Sequence, residues 1–141
     1  MSSILLNILS IVLYLSFLQH SGEIDLQVHG AKSDKGVVRI LIFDSKKGYP
    51  DQVQLAVRSF SVPLSERKCK IKISGLKPGK YSIAVFHDED ENGSINTNPF
   101  GYPIEKYGFS NNAKAYFGPP DYEKTVFELK DNRKAIVINL R

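Results

Sequence analysis

Apolar side chains recur at every second position through much of the chain, the signature of strands that bury one face. Ile24, Leu26 and Val28 form the first such set, spaced by Asp25 and Gln27. Val37 to Phe43 reads Val-Val-Arg-Ile-Leu-Ile-Phe, a nearly continuous apolar run of the kind found in a central strand covered on both faces. Phe60 to Leu64, Cys69 to Ile73 and Tyr81 to Phe86 also read as strands, the last two joined by a turn that Gly75, Pro78 and Gly79 punctuate. Thr125 to Leu129 and Ala135 to Leu140 close the chain, with Lys130 to Lys134 between them as a hairpin loop. Pro50-Asp51 is expected to open a short helix presenting Val53, Ala56 and Val57. The fold class expected is all-β: an antiparallel β-sandwich of about seven strands, immunoglobulin- or transthyretin-like, with residues 23–141 as one domain.

Residues 87–122 break this pattern, holding turn residues, acids, amides and aromatics with no sustained period. Unstructured connections longer than about 15 residues are uncommon inside a domain, and Phe100, Tyr102, Tyr107, Phe109, Tyr116, Phe117 and Tyr122 make this one too aromatic for disorder. An ordered cap is expected, its aromatics packed on the body, on one another or on a ligand. It opens with Asp88, Asp90 and Asn92 at alternate positions before Gly93, so that three hard oxygen ligands converge on one cation, Gly93 allows the sharp turn, and Ser94 offers a backbone carbonyl. This is the first half of an EF-hand-type calcium loop. Position twelve, however, is Pro99 where such loops place a bidentate Glu, leaving Asn96, Asn98 or the distant Glu105 to complete the shell. A solvated acidic turn with Asn92-Gly93 at its tip is the other reading of the same residues.

Ile4 to Leu18 is almost wholly apolar, and no charged residue occurs from Met1 to Gly22. At that length residues 1–22 read as a secretory signal peptide, or as an N-terminal anchor if uncleaved, and no cysteine follows to accept a lipid. Export to the periplasm, the outer membrane or the medium is expected, with membrane contact only through an uncleaved leader. Cys69, the single cysteine, forms no internal disulfide and is expected to point inward with Ile71 and Ile73. The net charge of +4 comes from scattered Lys and Arg, without the clustering that marks a nucleic-acid footprint, so no nucleic-acid partner is expected.

The blocks Gly75-Leu76-Lys77-Pro78-Gly79-Lys80-Tyr81, His87-Asp88, Asp90, Asn92-Gly93, Tyr107-Gly108-Phe109-Ser110-Asn111-Asn112 and Gly118-Pro119-Pro120 together resemble DUF2141, small exported bacterial proteins of undetermined function. The similarity runs from about Val37 to Leu140 and implies location and fold rather than activity. The Leu76 to Tyr81 turn and strand is also similar to transthyretin-like and carboxypeptidase-regulatory-like modules, which serve as binding or spacing domains.

Three functions follow. The first is a non-catalytic binding module, stiffened by calcium, in which Tyr107, Phe109, Asn111 and Asn112 meet a small molecule, a glycan or an envelope protein. The second is a metal-assisted hydrolase or lyase using His87 or Glu105 as acid or base. The third is a structural envelope protein whose cap completes the core.

Overall fold

The alternation at the start of the chain becomes a strand with one buried face: in β1 (Gly22–His29), Ile24, Leu26 and Val28 are buried while Glu23, Asp25, Gln27 and His29 are partly exposed. A computed structural model describes residues 21–141, so the expected leader lies outside the described residues. The remaining strands are β2 (Val37–Phe43), β3 (Arg58–Pro63), β4 (Lys68–Leu76), β5 (Gly79–Asp88), β6 (Tyr107–Phe109), β7 (Phe127–Leu129) and β8 (Arg133–Asn139). They form two sheets, one ordered β4-β1-β8 and the other β3-β2-β5-β6, with β7 also on β5.

The core lies between the sheets. Ile24, Leu26, Val28, Cys69, Ile73, Ile136 and Ile138 come from the smaller sheet, and Val38, Ile40, Ile42, Ile83 and Val85 from the larger. Cys69 points inward as expected, with Ile73 buried and Ile71 partly buried beside it. Burying each such aliphatic side chain contributes about 1.5–3 kcal/mol, so this layer is the main source of stability in a chain whose only cysteine is free. A second cluster covers the opposite face of β2 and β5: Leu41, Phe43, Ala84 and Phe109, with Tyr49, Tyr107 and Tyr122 packed on them. This explains why Val37 to Phe43 lacks clean alternation: its strand is covered on both sides.

Three expectations are corrected. The all-antiparallel sheet fails at β1 and β8, which pair in parallel from Glu23 with Arg133 to His29 with Asn139. The closing hairpin does not form, because β7 pairs with Gly79–Tyr81 of β5 and β8 joins the other sheet. β7 thereby covers β5 at Gly79–Tyr81, and β8 covers the second edge of β1. The helix expected after Pro50 is only a 3-10 turn, Val53–Leu55, with no buried residue to hold a longer one. The 87–122 segment, expected as an ordered cap, contributes β6, and a single helical turn, α1 (Tyr122–Thr125), precedes β7.

Candidate metal-binding loop

β5 alternates like any strand, so His87 and Asp88 leave it on opposite faces. His87 turns inward and is 1% exposed; its Nε2 lies 2.7 Å from the Lys35 carbonyl oxygen, and its Nδ1 accepts the Lys32 N–H at 3.4 Å. A carbonyl only accepts and an amide N–H only donates, so these partners select the neutral tautomer protonated on Nε2. Both ring nitrogens thus hold the connection between β1 and β2. Gly36 (φ +67°) in that connection passes against the backbone of Asp88 and Glu89, where a Cβ would collide with their carbonyl oxygens.

Asp88 is fully buried at the end of β5. Its Oδ1 accepts the Asn92 N–H at 3.1 Å, and its Oδ2 accepts the Gly93 N–H at 2.9 Å and Arg39 Nε at 2.7 Å. The loop curls because each acceptor captures an amide a few residues on: Asp90 Oδ1 takes the Asn92 N–H at 3.3 Å, and Asn92 Oδ1 takes the Ser94 N–H at 2.9 Å. Glu91 (φ +56°) and Gly93 (φ +83°) supply the left-handed turns.

Glu105 reaches this loop from the far side of the segment. Its Oε1 accepts the Glu89 N–H at 2.9 Å and its Oε2 the Asn96 N–H, also at 2.9 Å. Asp88, Asp90 and Glu105 each bring one carboxylate oxygen within 4.8 Å of the other two. Asn96 donates from Nδ2 to Asp90 Oδ2 at 2.8 Å and accepts from Asn92 Nδ2 at 2.6 Å, while Asn92 Nδ2 also lies 3.1 Å from Asp90 Oδ2. The Asn96 amide is the first of the contacts holding the Asp90 carboxyl below its ordinary range. Three formal negative charges faced by one guanidinium leave the cluster at −2.

Of the residues expected to bind metal, the structure groups Asp88 and Asp90 with Glu105, while Asn92 and Ser94 shape the loop through hydrogen bonds. Sequence reading missed Arg39, although a lone charge inside the apolar run Val37 to Phe43 was its signal. Its guanidinium lies 2.7 Å from both Asp88 and Ser61 Oγ. His87 and Glu105, the candidates for acid or base, share no hydrogen-bond partner.

The residues expected to face a ligand sit elsewhere. Tyr107 and Phe109 contact each other edge to face at 6.0 Å on the second cluster. Asn111 donates to the carbonyls of Lys124 and Val126, and Asn112 donates to that of Val137 and accepts the Asn139 N–H, so Asn112 pairs with the edge of β8 as a strand would. Tyr107, Phe109 and Asn112 line a shallow depression with Asn139 and Arg141. Of the other aromatics of the segment, Tyr122 packs edge to face on Tyr49 at 5.5 Å, whereas Phe100, Tyr102, Tyr116 and Phe117 are exposed. Among the described residues no helix is long and apolar enough to cross a membrane.

Neither a curated protein nor a solved structure matches the chain. Residues 26–137 match the family described as "Uncharacterized protein conserved in bacteria (DUF2141)". With most of the two-sheet body, the Asp88 loop and the β6 segment inside that match, the chain belongs to the DUF2141 family.

Proposed function

We propose that this protein is an exported, non-catalytic binding module, a sandwich of immunoglobulin or transthyretin type whose 87–122 segment is fastened by calcium. The observation that carries the reading is the convergence of Asp88, Asp90 and Glu105. Calcium–oxygen distances of 2.3–2.6 Å allow two ligands of one ion to lie at most about 4.6–5.2 Å apart, and the observed spacing falls inside that limit. The residual charge of −2 is what a divalent cation neutralises. Glu105 then takes the part of the missing position-twelve Glu. The leader supports export. The engagement of both His87 nitrogens by backbone argues against an acid–base role there.

A thermal melt of the protein in calcium and in excess chelator tests this. At calcium 100-fold above its dissociation constant, mass action adds about 2.7 kcal/mol and raises Tm on the order of 10 °C. Glu105→Gln is expected to remove most of that rise. Equal melting temperatures with calcium and chelator would remove the ion from the reading.

A further inference from the structure

The chain from Ser94 to Ile104 carries no charged residue, and the backbone N–H groups of its tip are paired within it. Asn98 accepts the Phe100 and Tyr102 N–H groups on its Oδ1 at 2.9 and 3.0 Å. The Gly101 N–H goes to the Asn98 carbonyl at 2.9 Å, the Asn98 N–H to Tyr102 at 2.8 Å, and the Ile104 N–H to Asn96 at 2.9 Å. Pro99 and Pro103 have no N–H, so every backbone donor from Asn98 to Ile104 is satisfied inside the loop. Around this closed backbone the apolar side chains face outward, with Phe100 86%, Tyr102 58% and Ile104 61% exposed. An apolar tip with no net charge, its backbone N–H groups paired within the loop, fits a low-dielectric surface. It suits neither a charged protein partner nor one that adds a strand to it.

We propose that the 98–104 tip inserts into the interfacial layer of a lipid bilayer, with Phe100 and Ile104 among the upper acyl chains and the Tyr102 hydroxyl at the headgroups. Tyrosine's apolar ring and polar end suit that boundary. Both bases of the tip are tied to the carboxylate cluster, Asn96 through Asp90 and Glu105, and Glu105 itself one residue past Ile104. The tip therefore presents as a rigid unit. The proposal deepens the binding-module reading by naming its target, but it stands on the tip's own hydrogen bonds and exposure rather than on an ion.

The protein contains no tryptophan, so an introduced one reports on its own site alone. Full-length Phe100→Trp is mixed with phosphatidylcholine vesicles carrying bromine-labelled acyl chains, in calcium-containing buffer. Val53→Trp serves as the comparison. Val53 is also exposed, at 53%, but follows β2 where Phe43 pairs with Ser82, at the other end of the sheet from Asp88. Insertion shifts the emission of the tryptophan at position 100 to shorter wavelength and quenches it, leaving that at position 53 unchanged. Tyr102→Ser and Ile104→Ser added to Phe100→Trp abolish the shift. An unshifted position 100, or equal quenching at both sites through the leader alone, overturns the proposal. The calcium melt is read separately, so either idea fails by itself.

Discussion

Asp88 is a buried carboxylate paired, among the described residues, with the single cation Arg39, itself 30% exposed at the side chain. Removing one member of a fully buried pair costs about 3–5 kcal/mol; with the exposure of Arg39 and two backbone N–H groups still on Asp88, Arg39→Met is expected to cost about 2 kcal/mol in chelator. The same substitution takes the cluster from −2 to −3, so calcium is expected to recover more stability in the variant than in the parent. Urea unfolding in chelator and in calcium reads both effects, and a calcium increment unchanged by the substitution would place the ion elsewhere. Cys69 gives a second expectation. Burial pushes its thiol from 9.0 up to about 11, leaving it protonated and unreactive in the fold. A thiol reagent at pH 8 is expected to label it only after denaturant is added; rapid labelling of the folded protein would contradict its inward orientation.

Among the elements, β6 spans only three residues yet carries the long segment back to the body. Its middle residue, Gly108, faces β8 so closely that a Cβ would lie 2.7 Å from the Ile138 side chain and 3.2 Å from the Asn139 carbonyl oxygen. Gly108→Ala is therefore expected to cost about 1–3 kcal/mol through overpacking, with hydrogen exchange faster at β6 and the C-terminal strand. Unchanged stability would mean that β6 shifts freely. β1, β2, β4 and β5 were legible because their alternation or continuous apolar run reflects burial directly. β6 was not, since Tyr-Gly-Phe is too short for a period and its place depends on the edge of β5. The pairing of β7 and β8 was misread for a related reason: a loop rich in turn residues looks the same whether the chain doubles back or crosses between sheets. In the loop, the ligand spacing was visible in Asp88, Asp90 and Asn92, whereas the closure by Glu105 and the pairing with Arg39 depend on contacts far apart in sequence.

Over the whole molecule, titration bounds stability from both sides. Hydrogen bonds from Ser74 to Glu23, from Ser33 to Glu89 and from Asn96 to Asp90 lead the influences that lower these three carboxyls. A carboxyl lowered by folding stabilises above its ordinary value, 4.5 for the glutamates and 3.8 for the aspartate, and that stability is lost as pH falls through the folded value. At the alkaline end the signs differ. Burial pushes the Cys69 thiol up to about 11 and the Tyr49 hydroxyl from 10.0 up to about 12, so the unfolded chain ionises first and stability falls through those windows as pH rises. Denaturation midpoints are expected to form a plateau near neutrality that slopes away below about pH 4 and above about pH 9. A midpoint still rising at pH 10 would contradict the burial of both groups.

One consequence of the parallel β1 and β8 pairing concerns time rather than stability. Glu23 and Arg133, joined by a hydrogen bond at 2.9 Å, are 110 positions apart. A chain released from one end, at a ribosome or a translocation pore, has β1 available long before the strand that covers its second edge. Until the last residues emerge, the smaller sheet lacks one of its three members, and the segment that carries the carboxylates has no β8 against which to seat Asn112. The molecule thus postpones its assembly until β8 has emerged, and deletion of β8 is expected to leave a nascent polypeptide that never closes.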